Sequence, residues 1–202
     1  MNDKTIIRET STVNYKVCVL CATFNHAPYI TQTMDGFCIQ QTDFPFICVI
    51  IDDASQDGAQ EAISRYLQEH FNEVTKEETE NYNLTLACHK VNANCHFAVF
   101  LLKKNHYSQG KMPLDYANRW KEHCSYVALC EGDDYWTDEH KLQKQADALD
   151  ATPQATLVYS HSPVCMVLEI PSTELLDCTS NADYCRSRSV FHFLQVVQDE
   201  RI

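Results

Sequence analysis

The chain has 202 residues, 45% of them hydrophobic and 22% charged, which favours one domain with an ordinary core. Its net charge is -12 and its pI is about 5.1. General binding to nucleic acid or to anionic membranes is therefore disfavoured, because both need a basic surface.

The N-terminal segment, residues 1–14, is predicted to be an extension ahead of the folded domain. It contains no apolar stretch of the kind found in signal peptides. No apolar run in the chain approaches the roughly 18 residues of a membrane span. The eleven cysteines are scattered and odd in number, which predicts free thiols. We therefore expect a cytoplasmic protein, and association with the inner face of the membrane stays open.

Short apolar segments and amphipathic segments alternate from residue 15 onward. The apolar segments are rich in valine, isoleucine and leucine, whereas the amphipathic ones carry apolar residues at helical spacing. The predicted strands are 15–25, 44–55, 82–90, 124–134 and 155–160, and the predicted helices are 28–41, 57–70 and 137–153. This order is typical of an α/β domain with a mostly parallel sheet flanked by helices.

Two of the predicted helices carry end signals. Asp57 is predicted to cap the second helix, with Gln60 three residues on, as in a capping box. Asp138 and Glu139 are predicted to lie in the first turn of the third helix, where acids complement the helix dipole, and Pro153 marks its end.

Two stretches do not follow this alternation. The acidic run "NEVTKEETENY", residues 72–82, predicts a solvated loop. Residues 91–121 are partly apolar, partly turn-like and then helical in pattern, and they predict no single element.

Cys18 and Cys21 form a C-x-x-C pattern, and Cys-His pairs stand at 88–89 and 95–96. The closed ligand spacings of structural zinc modules are missing. Moreover, "VCVLC" predicts a strand, on which Cys18 and Cys21 would point to opposite faces. A structural zinc site is therefore not expected.

Acidic residues stand at the carboxyl ends of two predicted strands. Asp52 and Asp53 end one of them, and Glu131, Asp133 and Asp134 end another. Ligands of parallel α/β sheets bind at this edge, where the five acids would converge if the strands are neighbours. Such like charge favours a counter-ion, and carboxylates suit Mg²⁺ or Mn²⁺. The pattern predicts a diphosphate bridged by a divalent metal.

Each acidic group taken alone also has a structural interpretation, as a turn or a helix cap. The two groups together, each at the end of an apolar strand, favour a ligand site. The four glycines allow no G-x-G-x-x-G, P-loop or G-x-S-x-G motif. A phosphate would therefore be held by metal and not by a glycine-rich loop.

Four segments, in order, resemble the family 2 glycosyltransferases, whose nucleotide-sugar half has the GT-A fold. These segments are "VCVLCATFNHAPYITQTM", "VIIDDASQDGAQEAI", "NHYSQGK" and "YVALCEGDDYWTDEHKLQKQADAL". The resemblance covers residues 15–160 and implies a GT-A nucleotide-sugar-binding domain there, followed by a divergent or truncated acceptor-side segment at 161–202.

The resemblance implies a base-binding side made by the first two strand ends. Thr23 and Asn25 match the first position, and Asp52 or Asp53 matches the aspartate that contacts the base. His26, next to Asn25, matches no motif position.

The resemblance also implies a diphosphate side. Glu131 takes the first, ribose-contacting place of a D-x-D motif, with glutamate in place of aspartate, and Asp133 and Asp134 are its metal side. Lys111 is implied to help neutralise the diphosphate.

The implied reaction is inverting, metal-dependent transfer from a nucleotide-diphosphate sugar, with UDP favoured, to a glycan or lipid-linked acceptor, as in cell-surface polysaccharide synthesis. Metal holds the leaving diphosphate while a carboxylate deprotonates the acceptor hydroxyl. We assign no catalytic base, because the candidate acids Asp183, Asp199 and Glu200 lie where the resemblance fades. An incomplete acceptor side would expose apolar surface and favour self-association.

Two other classes stay open. One is a metal-dependent nucleotidyltransferase or phosphohydrolase, which also uses paired carboxylates. The other is a non-catalytic protein that binds a nucleotide sugar and transfers nothing.

Overall fold

The computed structural model describes residues 13–161, 164–169, 175–179 and 192–196. Most of the predicted N-terminal extension lies outside them, as do the three candidate acids Asp183, Asp199 and Glu200. Within the described ranges, no helix is long and apolar enough to cross a membrane.

A single sheet runs through the fold, with helices packed on it. Its strands are β1 (Val17–Thr23), β2 (Phe46–Asp52), β3 (Phe71–Glu78), β4 (Tyr82–His89), β5 (Cys95–Leu102), β6 (Tyr126–Leu129), β7 (Ala155–His161), β8 (Val164–Glu169), β9 (Leu175–Thr179) and β10 (His192–Val196). The helices are α1 (Ile30–Cys38), α2 (Ala59–His70), α3 (Asn118–Lys121) and α4 (Lys141–Ala151), with 3-10 turns at Tyr107–Gln109 and Pro113–Ala117.

The strand order is β3-β4-β5-β2-β1-β6-β10-β7-β8-β9. The central strands β5, β2, β1 and β6 run parallel, and antiparallel neighbours extend the sheet on both sides. Every residue of β2 is buried, as expected for a parallel strand covered on both faces. The predicted α/β class with a parallel central sheet is therefore confirmed, and the carboxyl ends of four strands lie along one edge.

Two apolar clusters pack on the two faces of the sheet. Cys21 belongs to the cluster that α1, α2 and α4 cover. Cys18, three residues earlier on the same strand, belongs to the cluster that contains Trp120 of α3. The two thiols therefore lie on opposite faces, as predicted, and both are free. Burial raises the pKa of the Cys21 thiol well above its ordinary value.

The prediction of a solvated loop at 72–82 is wrong for most of its length. Residues 71–78 form β3, which pairs antiparallel with β4 at one edge of the sheet. Its side chains are largely exposed, so no apolar pattern reveals the strand. Charged side chains on such an edge also discourage pairing with other chains. The strand β5, within the unassigned stretch 91–121, lies beside β2 near the middle of the sheet.

Two predicted helix starts differ from the structure. The N-cap of α2 is Gly58, with a φ of 96°. Asp57 still accepts a hydrogen bond from the Ala59 amide at 3.1 Å, but Gln60 makes no capping box. Its side chain instead donates to the buried Asp52 carboxylate at 2.6 Å and to the Leu102 carbonyl at 3.0 Å. Tertiary partners thus replace the local cap.

The third predicted helix also begins later than expected. α4 starts at Lys141, so Asp138 and Glu139 precede it and do not lie in its first turn. The Asp138 carboxylate accepts from the His140 amide at 2.9 Å and from the Lys144 ammonium at 2.8 Å. These two bonds hold the segment that leads into the helix.

Helix α1 packs closely on the segment between β6 and α4. A Cβ atom on Gly36 would lie 2.7 Å from the backbone nitrogen of Trp136 and 2.8 Å from its carbonyl oxygen. The Trp136 ring packs edge-on against Phe37, with 4.9 Å between ring centroids. Only glycine allows this approach of helix to backbone.

We predict that Gly36→Ala destabilises the protein, although alanine is the better helix former by about 1 kcal/mol. The new methyl group meets backbone atoms that cannot rotate away, so we expect a net loss of about 1 to 3 kcal/mol in the free energy of unfolding. Urea denaturation measures it. Gln32→Ala, at an exposed position of the same helix, should change stability by less than about 0.5 kcal/mol. Equal stability of both variants would contradict the prediction.

Candidate active site

The end of β1 joins the two groups of acids that the sequence predicts. The Asp53 amide donates to the Thr23 carbonyl, and the Gly132 amide donates to the Ala22 carbonyl, both at 3.0 Å. Because β1 lies between β2 and β6 in the sheet, its last residues connect the loops that follow both neighbours. The structure therefore brings the predicted acids to one edge.

The loop after β6, residues 131–134, is a tight acidic turn. The Asp134 amide donates to the Glu131 carbonyl at 3.1 Å, and the Thr33 hydroxyl of α1 donates to the Gly132 carbonyl at 3.0 Å. A Cβ atom on Gly132 would lie 2.3 Å from Oγ1 and 2.4 Å from Cβ of Thr23. The turn needs glycine at its centre because it rests directly on the Thr23 side chain.

The acidic turn concentrates negative charge at the surface. Glu131 and Asp133 are exposed, whereas Asp134 is partly buried. Burial, followed by the like charges of Asp133 and Glu131, raises the pKa of the Asp134 carboxyl to about 6. A cation bound there would relieve this repulsion.

His26 belongs to this site, although it matches no motif position in the sequence. Its Nδ1 atom lies 3.2 Å from the Thr23 hydroxyl and 3.9 Å from an Asp133 carboxylate oxygen. Its carbonyl accepts hydrogen bonds from the amides of Tyr29 and Ile30, both at 2.9 Å, and so fixes the entry to α1. Its position directly after a threonine-x-asparagine turn is the only sequence signal that marks it.

Asp52 is fully buried at the end of β2. Its carboxylate accepts hydrogen bonds from the Ser55 amide at 2.9 Å and the Ser55 hydroxyl at 2.5 Å. The Gln60 side chain donates to it at 2.6 Å. These bonds shape the turn between β2 and α2.

Asp53 is 4% exposed, and its carboxylate receives two backbone amides of the loop after β5. The His106 amide donates to Oδ1 at 2.6 Å, and the Tyr107 amide donates to Oδ2 at 2.9 Å. Lys111 stands at the far end of the same loop with an exposed side chain. The pair of aspartates therefore holds two different loops.

Asn25 links the loop after β1 to the loop after β2. It adopts a φ of 57°, a left-handed conformation that asparagine tolerates better than most residues. Its side-chain oxygen accepts from the Gln56 amide at 2.9 Å, and its own amide donates to the Ser55 hydroxyl at 2.8 Å. Thr23 is buried beneath the acidic turn.

The carboxylates of the acidic turn could supply some of the ligands of a Mg²⁺ ion. Among the residues described, no group of three or more Asp, Glu, His or Cys side chains is arranged as a closed metal site. Magnesium, however, is commonly bound by one or two carboxylates, with phosphate oxygens and water completing the shell. Asp133 and Asp134 fit that smaller requirement, because their oxygens are hard ligands and the turn is crowded with negative charge.

One part of the chain matches a known protein family. Residues 18–101 match the description "Glycosyl transferase family 2". The matched segment runs from β1 to β5 and contains Thr23, Asn25, Asp52 and Asp53, but it stops before Lys111 and the acidic turn.

Curated relatives match a longer part of the chain. "Uncharacterized protein Rv1520" of Mycobacterium tuberculosis and "Uncharacterized protein Mb1547" of Mycobacterium bovis are each 30% identical over 151 residues. The match covers 75% of this chain and 36% of each relative, so the chain spans little more than a third of their length.

Solved structures of glycosyltransferases are also similar. S. aureus TarS in complex with UDP is 22% identical, with 70% of this chain and 34% of that chain covered and a TM-score of 0.48. A mannosyltransferase, PcManGT from Pyrobaculum calidifontis in complex with GDP-Man and Mn²⁺, is 22% identical, with coverages of 72% and 35% and a TM-score of 0.46.

We predict that the Asp134 carboxyl titrates near pH 6, which carboxyl-carbon NMR measures directly. Asp133→Asn should lower this pKa because it removes a neighbouring like charge, whereas Asp147→Asn, on the exposed side of α4, should leave it unchanged. The folded state holds this proton more tightly than the unfolded chain does. The contribution of Asp134 to stability should therefore fall as pH rises from 3.8 to about 6. An ordinary pKa for Asp134 would contradict the described crowding.

We further predict that Gly132→Ala displaces the acidic turn from β1, because its methyl group would overlap Thr23. The expected loss is about 1 to 3 kcal/mol of unfolding free energy in chemical denaturation. Thr23→Gly removes the atoms that clash, so the double variant should be more stable than the sum of the single effects predicts. Simple additivity would show that the two residues do not touch.

Proposed function

We propose that the protein takes part in sugar transfer from a nucleotide-diphosphate sugar, because residues 18–101 match the family description "Glycosyl transferase family 2". The proposed donor is a UDP-sugar, and the proposed acceptor is a hydroxyl group of a glycan or a lipid-linked saccharide. The reaction would take place in the cytoplasm, near the inner face of the membrane where the acceptor is lipid-linked, as a step of cell-surface polysaccharide synthesis.

One observation carries the proposal. The acidic turn, residues 131–134, rests on Thr23, the last residue of β1. The strand ends within residues 18–101 and the carboxylates of Asp133 and Asp134 therefore lie at one edge of the sheet. Ligands of α/β sheets bind outside the carboxyl ends of the parallel strands. The nucleoside of a bound donor could therefore contact the strand ends within residues 18–101. Its diphosphate could contact the acidic turn through a cation.

The proposed roles follow from these positions. Asp133 and Asp134 would hold a Mn²⁺ or Mg²⁺ ion, and Glu131 would contact the ribose. When bound, the cation supplies neutralisation of the charge that develops on the leaving diphosphate. The Lys111 ammonium would add a second positive charge from the loop after β5. Thr23 and Asn25, with the paired aspartates behind them, would form the base side.

The proposed chemistry is a displacement at the anomeric carbon with inversion. The acceptor oxygen forms the new bond as the bond to the diphosphate oxygen breaks, and the hydroxyl proton passes to a carboxylate base. The groups on the donor side orient the nucleotide and stabilise the leaving group. We assign no residue of this chain as the base.

Binding of UDP in the presence of Mn²⁺ tests the metal role. We expect calorimetry to show binding that EDTA abolishes, and a thermal shift of the wild-type protein. At a hundredfold excess of ligand over Kd, a ligand that binds only the folded state stabilises it by about 2.7 kcal/mol. Equal affinity in EDTA would refute the role of the cation.

Asp133→Asn and Asp134→Asn keep the shape of the turn and remove its charge. We expect each to weaken binding of Mn²⁺ and UDP by about tenfold or more, as loss of a charged ligand group does, with folding intact. Asp147→Asn is the matched control, since it removes an exposed charge from α4. If the site variants unfold while the folded fraction binds UDP normally, the turn is only structural.

The reaction class is tested by its product. A glycosyltransferase releases a nucleoside diphosphate from its donor in an acceptor-dependent manner. A phosphohydrolase would instead split the donor into a nucleoside monophosphate and a sugar 1-phosphate, and a nucleotidyltransferase would release pyrophosphate from a nucleoside triphosphate and a sugar 1-phosphate. The assay uses a panel of UDP- and GDP-sugars with and without saccharide acceptors. Release of a nucleoside monophosphate and a sugar 1-phosphate from these donors, or of pyrophosphate from UTP or GTP with a sugar 1-phosphate, would contradict the proposal.

A further inference from the structure

The Asp53 carboxylate forms hydrogen bonds inside the protein. The two oxygens accept hydrogen bonds from consecutive backbone amides, those of His106 and Tyr107, at 2.6 and 2.9 Å. Its backbone is held as well, because its amide donates to the Thr23 carbonyl at 3.0 Å and its carbonyl accepts from the Asn105 side chain at 3.0 Å. With 4% of its surface exposed, Asp53 presents little to a ligand.

The loop that Asp53 holds, residues 105–111, is closed by its own hydrogen bonds. The amides of Gln109 and Lys111 donate to the His106 carbonyl at 2.9 and 3.0 Å. The Asn105 side-chain oxygen accepts from the Ser108 amide at 2.7 Å. The loop is therefore a compact unit that ends in Lys111, and three hydrogen bonds join it to Asp53.

We propose that Asp53 is a positioning residue that acts on the donor through the 105–111 loop, by fixing Lys111. This inference rests on the proposed function, in which Lys111 faces the donor diphosphate. The two bonds matter to the loop because a buried backbone N–H that loses its acceptor is left unsatisfied, which is unfavourable.

A carboxylate is required at this position because both loop partners are N–H donors. Aspartate offers two acceptor oxygens to them, whereas asparagine offers one acceptor and one NH₂ group. In Asp53→Asn, one backbone N–H would therefore face another donor. The side chain keeps its size, so this variant loosens the loop with little change in packing.

The closing experiment is a double-mutant cycle with Lys111→Met, read as the Kd values of UDP and GDP with Mn²⁺. We expect Asp53→Asn to weaken both nucleotides by the same factor of about ten, and to weaken them by less than about twofold when Lys111 is already replaced. Equal losses in both backgrounds, or a changed ratio of UDP to GDP affinity, would overturn the inference while the proposed function stands. If the wild-type chain binds neither nucleotide, the inference and the proposed function are both wrong.

Asp57→Asn is the matched control. Asp57 holds the Ala27 amide of the neighbouring loop at 2.8 Å by the same kind of bond, but it does not touch the 105–111 loop through any described hydrogen bond. Its effect on nucleotide affinity should be the same with and without Lys111. If it is coupled to Lys111 as strongly as Asp53 is, general loosening explains both and the inference fails.

Two further measurements keep the test independent of stability. Hydrogen exchange should show faster exchange of the His106 and Tyr107 amides in Asp53→Asn and not in Lys111→Met, and unchanged protection would overturn the inference. If Asp53→Asn does not fold, Asn105→Ala replaces it, because that residue makes the remaining side-chain bond to Asp53. Its effect on affinity should also vanish in the Lys111→Met background, and persistence there would count against the proposal.

Discussion

The contact between the end of β1 and its two neighbouring loops determines the geometry of the candidate site. Consecutive carbonyls of Ala22 and Thr23 accept the amides of Gly132 and Asp53. This is possible because β1 lies between β2 and β6 in parallel register. The acidic turn and the aspartate pair are therefore held by one strand, and a change at Thr23 or Gly132 would move the acids relative to each other.

The negative charge of the two groups of acids is stabilised in different ways. Asp52 and Asp53 are buried, and their oxygens accept hydrogen bonds from amides, a hydroxyl and a side-chain amide, which stabilise a carboxylate away from water. Asp133 is half-exposed, and the pKa of Asp134 is raised by burial and by its like-charged neighbours. Only the second group keeps charge facing outward, which is why we propose it as the cation-binding side.

Within residues 18–101, some polar residues at the strand ends hold loops in place. A carboxylate that holds two backbone amides of a loop controls where that loop presents its side chains, although it stays nearly inaccessible itself. Asn25 does the same between two other loops, with its side chain on Gln56 and its amide on Ser55. Residues that a motif marks as ligand contacts can therefore act through the backbone they hold.

The sequence was enough to predict the α/β class, three of the four central parallel strands and the strand ends at which the acids lie, because apolar periodicity and strand length are local properties. It also placed Cys18 and Cys21 on opposite faces. The edge strand at 71–78 became evident only in the fold, since the partner of these residues is the backbone of β4. The roles of His26, Gln60 and Asp53 were likewise decided by partners far along the chain, as when Asp53 meets His106. Local patterns carry no information about such partners, because hydrogen bonds between loops depend on how the sheet brings the loops together.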